Sequence, residues 1–336
     1  MTSVVEYSRA DLPRPGLRSL AVFAVAAQFF AAAPAPAAEF YSEVTKIVVP
    51  FAPGGGTDII ARTLAEAMAK ELGGTVIVEN KPGAGTIVGT QFVAASTPDG
   101  HTLLMATFAH AVNPSLHATL PYDTHKDFAP VALVARSFNI LVVSPKSPIK
   151  SVADLIAAAK ADPGKLNYGT FGPGTSAHLA GELFNSLADV KLTAVHYKGA
   201  APAITDLLGG TLQAMFTTVA SVTSLIKAGE LRALAVTSAE RTDAFPDLPT
   251  VAEAGVPGYA AESWYGVYAP AKTPLPAIAL LNGAIAKAVR SPAFNTLAAN
   301  EGLVMAGGSA AELDDYVRGE EARWRKVIGD ANIKVD

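Results

Sequence analysis

An apolar run, a turn with three consecutive glycines and a long helical pattern follow one another without interruption in IVVPFAPGGGTDIIARTLAEAMAKEL, residues 47–72. Ile47-Val48-Val49 reads as a buried strand. Ile60, Leu64, Met68 and Leu72 form one stripe of a helix, with Arg62, Glu66 and Lys70 on another. Gly73-Gly74 closes that helix. A strand that turns directly into a helix belongs to a βα unit, and repeated βα units build a largely parallel sheet with helices on its faces. Glycine lets the turn take positive φ and lets another group approach the backbone closely. The helix start adds N–H groups and the positive end of a dipole, which together suit an anion. A second stretch of the same design, YGTFGPGTSAHLAGELF, occupies residues 168–184. Neither turn is a Walker loop or a GxGxxG fingerprint.

The alternation continues along the chain. Strands are expected at 46–49, 75–79, 101–107, 131–144, 166–169, 193–197, 213–216 and 231–237, and helices at 57–72, 85–95, 176–187 and 201–208. Ser151 with Asp154 predicts a capped helix start. Residues 113–130 read as a long irregular segment rich in Pro and His, and 274–328 as helix, short strand and helix. Asn139 and the 262–266 stretch, ESWYG, are the expected crossings between two lobes. This order implies a discontinuous first lobe, 39–139 plus 260–336, and a continuous second lobe, 140–259. Both glycine turns then lie at carboxyl ends of strands, where α/β sheets bind their ligands.

Composition narrows the function. The chain has 336 residues, half of them hydrophobic, enough for two ordinary domains. There is no cysteine, which removes disulfides, thiolate metal sites and a lipidation box. A net charge of −4 without a basic block argues against nucleic acid. Arg14 and Arg18 precede an apolar run, Leu20 to Ala33, and Ala35-Pro36-Ala37 supplies the small residues of a cleavage site. Residues 1–37 are therefore expected to be a secretory signal, with an uncleaved anchor as the alternative. The six histidines show no metal-ligand spacing, and neither a metal nor a cofactor is expected. Ser176 and His178, two apart at a helix start, do not face each other as a nucleophile and base would. His178 is expected to buttress the turn instead.

Six segments in order resemble the Bug, or tripartite tricarboxylate transporter, periplasmic substrate-binding receptors. They are KIVVPFAPGGGTDIIAR (46–62), ENKPGAGTIVGTQFVAASTPDGHTLL (79–104), LNYGTFGPGTSAHLAGELF (166–184), HYKGAAPAITDLLGG (196–210), LRALAVTSAERTDAFPDLPTVAEAGVPGY (231–259) and WYGVYAPAKTP (264–274). The resemblance covers essentially the whole chain after the signal. It implies a type II periplasmic binding-protein fold: α/β, two lobes of mixed, mainly parallel sheet flanked by helices and hinged by two crossings. It also implies that the two turns hold one carboxylate of the ligand through backbone amides and ordered waters. Carried over by position, the first turn supplies Phe51, Ala52, Gly54, Gly55, Thr57 and Asp58, and the second supplies Gly174, Thr175 and Ser176. Walls come from Thr107 and from Tyr197, Lys198 and Gly199. Gln213 and Thr217 stand where the family often has aspartates, which argues against an ammonium-bearing ligand.

The expectation is a non-enzymatic, exported, soluble periplasmic receptor, monomeric, for a small organic carboxylate, with dicarboxylates and aromatic carboxylates favoured. Its partners would be that ligand and the membrane permease subunits of a tripartite transporter. Two alternatives are a protein that presents ligand to a membrane sensor and an exported carboxylate-processing enzyme. The second lacks a nucleophile–base pair in the sequence.

Overall fold

The computed structural model of the chain describes residues 1–3, 43–331 and 333. Residues 4–37 of the expected signal segment lie outside the described residues.

The chain begins its βα alternation with β1 (Thr45–Val49), α1 (Gly56–Leu72), β2 (Val76–Asn80), α2 (Ile87–Ala94), β3 (Thr102–Thr107) and α3 (Phe108–Leu116). The long β4 (Phe128–Val143) follows, then α4 (Val152–Ala161), β5 (Asn167–Thr170), α5 (Ser176–Ala188), β6 (Thr193–His196) and α6 (Ala200–Gly209). The remainder is β7 (Ala214–Thr218), α7 (Thr223–Lys227), β8 (Arg232–Val236), β9 (Glu262–Pro270), α8 (Leu275–Ala288), α9 (Pro292–Glu301), β10 (Val304–Met305) and α10 (Ala310–Asp330). Ile60, Leu64, Met68 and Leu72 are buried as their spacing predicts, while Arg62, Glu66 and Lys70 are on the outer face. Gly73 ends α1 in the left-handed region, at φ 66°.

Three local expectations change. The 113–130 segment is not irregular throughout, because α3 runs to Leu116 with Pro114 inside it. A proline in the last turn disturbs few helical bonds, and Phe108 and Val112 secure the helix by packing into the core. The helix expected from residue 85 starts at Ile87, since Ala84, Gly85 and Thr86 all have positive φ. Before the short strand β10 there are two helices, because Ser291 caps a second one, accepting the Phe294 N–H at 3.3 Å.

The strands form one sheet in the order β2-β1-β3-β9-β4-β7-β5-β6, with β8 and β10 also paired to β4. Parallel pairing is confined to the outer strands: β1 with β2 and β3, and β5 with β6 and β7. The centre is antiparallel, with β9 between β3 and β4 and with β7, β8 and β10 each running against β4. β4 is the strand common to both halves. It pairs with β9 as far as Phe138, and from Asn139 onward with β7 and then β8. β4 runs out and β9 returns, so the central strands have to be antiparallel.

One core lies under the first half, around Val48, Leu104, Trp264, Tyr268 and Leu313. The other gathers Tyr168, Phe184, Phe216 and Tyr259 with Phe108 and Trp324. α10 serves both, with Leu313 and Val317 in the first core and Trp324 and Ile328 in the second.

Where β4 changes partners, Thr237 fastens the crossing. It is fully buried, and its hydroxyl accepts the Asn139 N–H at 2.8 Å. That hydroxyl lies within donating distance of the Asn139 carbonyl at 2.8 Å and the Ala261 carbonyl at 2.6 Å. The Thr237 N–H donates to Asn139 O, and the Ala261 N–H donates to Thr237 O. Both passages of the chain between the halves are thereby tied to one side chain. Thr237→Val keeps the shape and strands buried partners, so it is expected to lower unfolding stability by about 1–3 kcal/mol. Urea titration of the variant checks this, and an unchanged midpoint would remove Thr237 from the account of the crossing.

Candidate functional site

The first glycine turn is braced from within. The Gly54 N–H, at φ 85°, donates to Asp58 Oδ2 at 3.0 Å. Arg62 Nε donates to the same oxygen at 2.9 Å, and Asn80 Nδ2 reaches Asp58 Oδ1 at 2.9 Å and the Phe51 carbonyl at 3.1 Å. Burial alone would raise the pKa of Asp58. The hydrogen bonds from Arg62, Gly54 and Asn80 outweigh it and hold the carboxyl below its ordinary value. Asp58 is therefore a brace for the loop, with both of its oxygens hydrogen-bonded. Gly56 N–H donates to Ser221 Oγ at 2.7 Å.

The second turn is built alike. Gly172 N–H donates to Thr170 Oγ1 at 3.1 Å, Gly174 N–H to His178 Nδ1 at 3.2 Å, and Thr175 Oγ1 to the Gly172 carbonyl at 2.7 Å. His178 buttresses the turn, as expected. Because Nδ1 accepts, the neutral ring carries its proton on Nε2. Burial lowers its pKa to about 4, and the His196 ring, 5.0 Å away, adds to the effect.

These bonds correct one expectation from sequence. The glycine amides of the turns are only in part free donors: those of Gly54, Gly56, Gly172 and Gly174 are engaged, and that of Gly55 finds no acceptor among the described residues. Further open donors lie in the first turns of α1 and α5. Neither Gly55 nor Thr175, the N-cap residues, supplies a capping side chain. The N–H groups of Thr57, Asp58, Ser176 and Ala177 find no acceptor among the described residues. Side-chain caps are present at α4, α9 and α10, from Ser151, Ser291 and Ser309, and are absent also at α2, α3, α6, α7 and α8.

Both open helix starts meet at one register pair of the central strands, Asn139 on β4 and Thr218 on β7. Thr218 Oγ1 lies 2.8 Å from Ser221 Oγ, the acceptor for Gly56. Ser176 Oγ donates to Asn139 Oδ1 at 3.4 Å. Asn139 is fully buried, and its Nδ2 has no partner among the described residues. Phe51 meets Phe171 edge to face at 6.4 Å, joining the two turns. Ala52 N–H donates to the Lys198 carbonyl at 2.9 Å, and a Cβ on Gly199 would lie 3.1 Å from the Ala52 nitrogen. A Cβ on Gly55 would touch Ala200, which starts α6. The structure thus brings Phe51, Ala52, Gly54, Gly55, Thr57, Gly174, Thr175, Ser176, Lys198 and Gly199 into one neighbourhood.

The remaining expected residues stand differently. Thr107 is buried at the N-cap of α3, opposite Tyr265 on β9, and no hydrogen bond links it to either turn. Tyr197 turns its hydroxyl to Asp206 Oδ2 at 2.5 Å. Burial, with that carboxylate, pushes its pKa up to about 12. The Lys198 carbonyl, rather than its side chain, is the part engaged with the first turn. Gln213 accepts the Asn167 N–H at 2.8 Å at the start of β5, the end remote from the turn. Its identity has no bearing on the cleft. Ser221, Thr218 and the Asn139 amide were missed as site residues. Ser221 is 165 positions from Gly56, and only the fold joins them. An open groove of about 600 Å³ after α3, lined by Pro114, His117, Tyr122 and His125 among others, contains none of these residues.

Residues 60–333 match the family model described as the tripartite tricarboxylate transporter family receptor. The chain is also similar to three solved structures. The periplasmic binding protein BugD is 33% identical, over 87% of this chain and 98% of that one, with a TM-score of 0.84. A Rhodopseudomonas palustris protein with adipate is 38% identical, over 86% and 97%, with a TM-score of 0.83. MatC from Rhodopseudomonas palustris with bound malate is 32% identical, over 85% and 98%, with a TM-score of 0.81. The mixed α/β sheet with flanking helices is the fold of these binding proteins. Among the described residues, no helix is long and apolar enough to cross a membrane.

The buried histidines predict an acid limit to stability. The folded pKa of His178 is about 4, and burial lowers that of His110 to about 3, with a smaller contribution from His125. In the unfolded chain both titrate near the ordinary value of about 6.5. The unfolded state therefore binds more protons between these values. Stability is intact above about pH 6.5 and falls toward pH 4, by at most about 1.4 kcal/mol per pH unit for each group. His178→Gln should flatten the slope by up to one such increment when urea titrations at several pH values are compared. A wild-type slope in the variant would contradict the neutral, accepting His178.

Proposed function

The chain belongs to the tripartite tricarboxylate transporter receptor family, whose members are periplasmic solute-binding proteins, and on that premise we propose that it captures a small aliphatic dicarboxylate and passes it to membrane permease subunits. Export through the 1–37 signal would place it in the periplasm. The observation that carries this proposal is that two uncapped helix starts flank one register pair of the central strands, α5 against Asn139, whose buried Nδ2 has no partner among the described residues, and α1 against Thr218. A carboxylate there would accept from the Thr57 and Asp58 amides of one helix, the Ser176 and Ala177 amides of the other, and Asn139. Five neutral donors and two positive dipole ends suit one anionic group.

Among the described residues, 43–139 plus 260–331 act as one lobe and 140–259 as the other, except that α3 and the end of α10 pack into the second core through Phe108, Val112, Trp324 and Ile328; the hinge lies where β4 changes partners and where Ala261 leads into β9. Closure brings the two helix starts together around the ligand, so contact with both lobes favours the closed state. Similar solved structures with adipate and with bound malate support a dicarboxylate. An amino acid is disfavoured, because the one acid in the first turn, Asp58, is occupied by Arg62, Asn80 and Gly54. The buried Thr217 offers no charge either.

Calorimetric titration of the stripped protein with malate, adipate, their monoamides and aspartate tests this. Malate and adipate, which lack an ammonium group, are expected to bind at least about tenfold tighter than aspartate, a difference of about 1.4 kcal/mol. Tighter binding of aspartate would overturn the ligand class. Asn139→Asp nearly keeps the shape but places a negative charge among the donors. It is expected to weaken dicarboxylate binding by more than about tenfold while circular dichroism stays unchanged. Wild-type affinity in that variant would remove Asn139 from the site.

A further inference from the structure

The segment Gly83–Thr86, between β2 and α2, is a rigid projection from the first half of the sheet. Its four φ values are all positive: 143° at Gly83, 46° at Ala84, 58° at Gly85 and 84° at Thr86. A β-branched residue rarely takes that conformation. Thr86 is held there because Thr90 Oγ1 donates to its carbonyl at 3.0 Å and Asn113 Nδ2 lies 3.4 Å from its hydroxyl. At the tip, Gly85 meets the second glycine turn. A Cβ on Gly85 would lie 2.2 Å from the Pro173 carbonyl oxygen, and one on Gly172 would lie 3.2 Å from the α-carbon of Gly85. The first distance is far inside van der Waals contact, and its partner is backbone, which cannot swing aside.

None of these atoms belongs to the anion-binding donors described above. Gly172 N–H is engaged by Thr170, and Gly85 is on neither glycine turn. The missing side chains at 85 and 172 therefore need a different reason from ligand approach. We propose that Gly85 and Gly172 are positioning residues for closure: the 83–86 projection and the 172–174 turn form a stop at which the two lobes seat, and only glycine at both positions lets them reach it. The inference rests on the two-lobe reading above, but it does not depend on which ligand is bound. It predicts that adding one methyl group at Gly85 holds the lobes apart. Ligand already captured would then escape faster, because the closed population that retains it is depleted.

The chain has no cysteine, so Gln91→Cys and Lys191→Cys, both at exposed positions on opposite halves, give a clean pair for spin labels. Electron–electron distance measurement would be made on the wild-type background, Gly85→Ala, Gly172→Ala and Gly73→Ala, each with and without adipate. Gly73 is the control for backbone strain, since it has φ 66° and a methyl group added there would have nothing within 4 Å. The expected result is a short-distance population in the wild type and in Gly73→Ala, reduced about tenfold in Gly85→Ala and less in Gly172→Ala. Adipate dissociation measured by stopped flow should accelerate in the same order. A wild-type short-distance population in Gly85→Ala would overturn the proposal, and so would equal losses in Gly85→Ala and Gly73→Ala. A wild type without any short-distance population would overturn it as well. If adipate fails to bind while the short-distance population still responds to Gly85→Ala, the stop stands and the dicarboxylate assignment falls.

Discussion

The first turn of an α-helix carries N–H groups that its own carbonyls cannot reach, and leaving such a group buried and unpaired costs about 1–3 kcal/mol. Such groups are met by side chains, water, tighter turns or ligands, and α4, α9 and α10 use the side chains of Ser151, Ser291 and Ser309. At α1 and α5 the N-cap residues, Gly55 and Thr175, provide no capping bond. The surrounding network keeps those amides open. Asp58 and His178 draw the turn amides of Gly54 and Gly174 inward, which fixes the loops without covering the helix starts. In the proposed site, loop rigidity and ligand binding would thus use different N–H groups of the same two segments. That separation lets a site made of backbone be ordered while its donors keep no internal acceptor.

The sheet determines why the two helix starts can meet. A parallel βα unit places its helix start at the carboxyl end of its strand, so two such units in opposed halves can face each other across the strands between them. Here those strands are β4 and β7, and the Asn139–Thr218 register pair lies beside both helix starts. Thr237 ties the place where β4 changes partners to the place where the chain returns at Ala261. α10 lies along both cores. The crossing is consequently a short, well-bonded element close to the proposed site, suited to the proposed hinge, whose small rotation would move the helix starts together.

Much of this was legible in the sequence because it is local. The strand–turn–helix order of 47–72 and 166–188, the stripe of Ile60, Leu64 and Met68, and the left-handed end at Gly73 each follow from neighbours a few residues apart. The braces were also within reach, since Gly54 and Asp58, and Gly174 and His178, are each separated by four positions. Other features depended on long-range contacts. The pairing of Gly56 with Ser221 and of Ala52 with Lys198 is created by the fold. The antiparallel centre of the sheet arises because β4 and β9 traverse in opposite directions, which a succession of βα units does not contain. Pro114 hid the end of α3, whose Phe108 and Val112 are held by tertiary packing stronger than the local penalty.

The central claim is that one carboxylate is shared by the open amides of two helices. Amide proton shifts on a perdeuterated, nitrogen-labelled sample report it directly when malate is titrated against its dimethyl ester. The resonances of Thr57, Asp58, Ser176 and Ala177 are expected to move together downfield with a single saturation curve for malate and not to move for the ester. Saturable malate binding that leaves either helix's amides in place would contradict it.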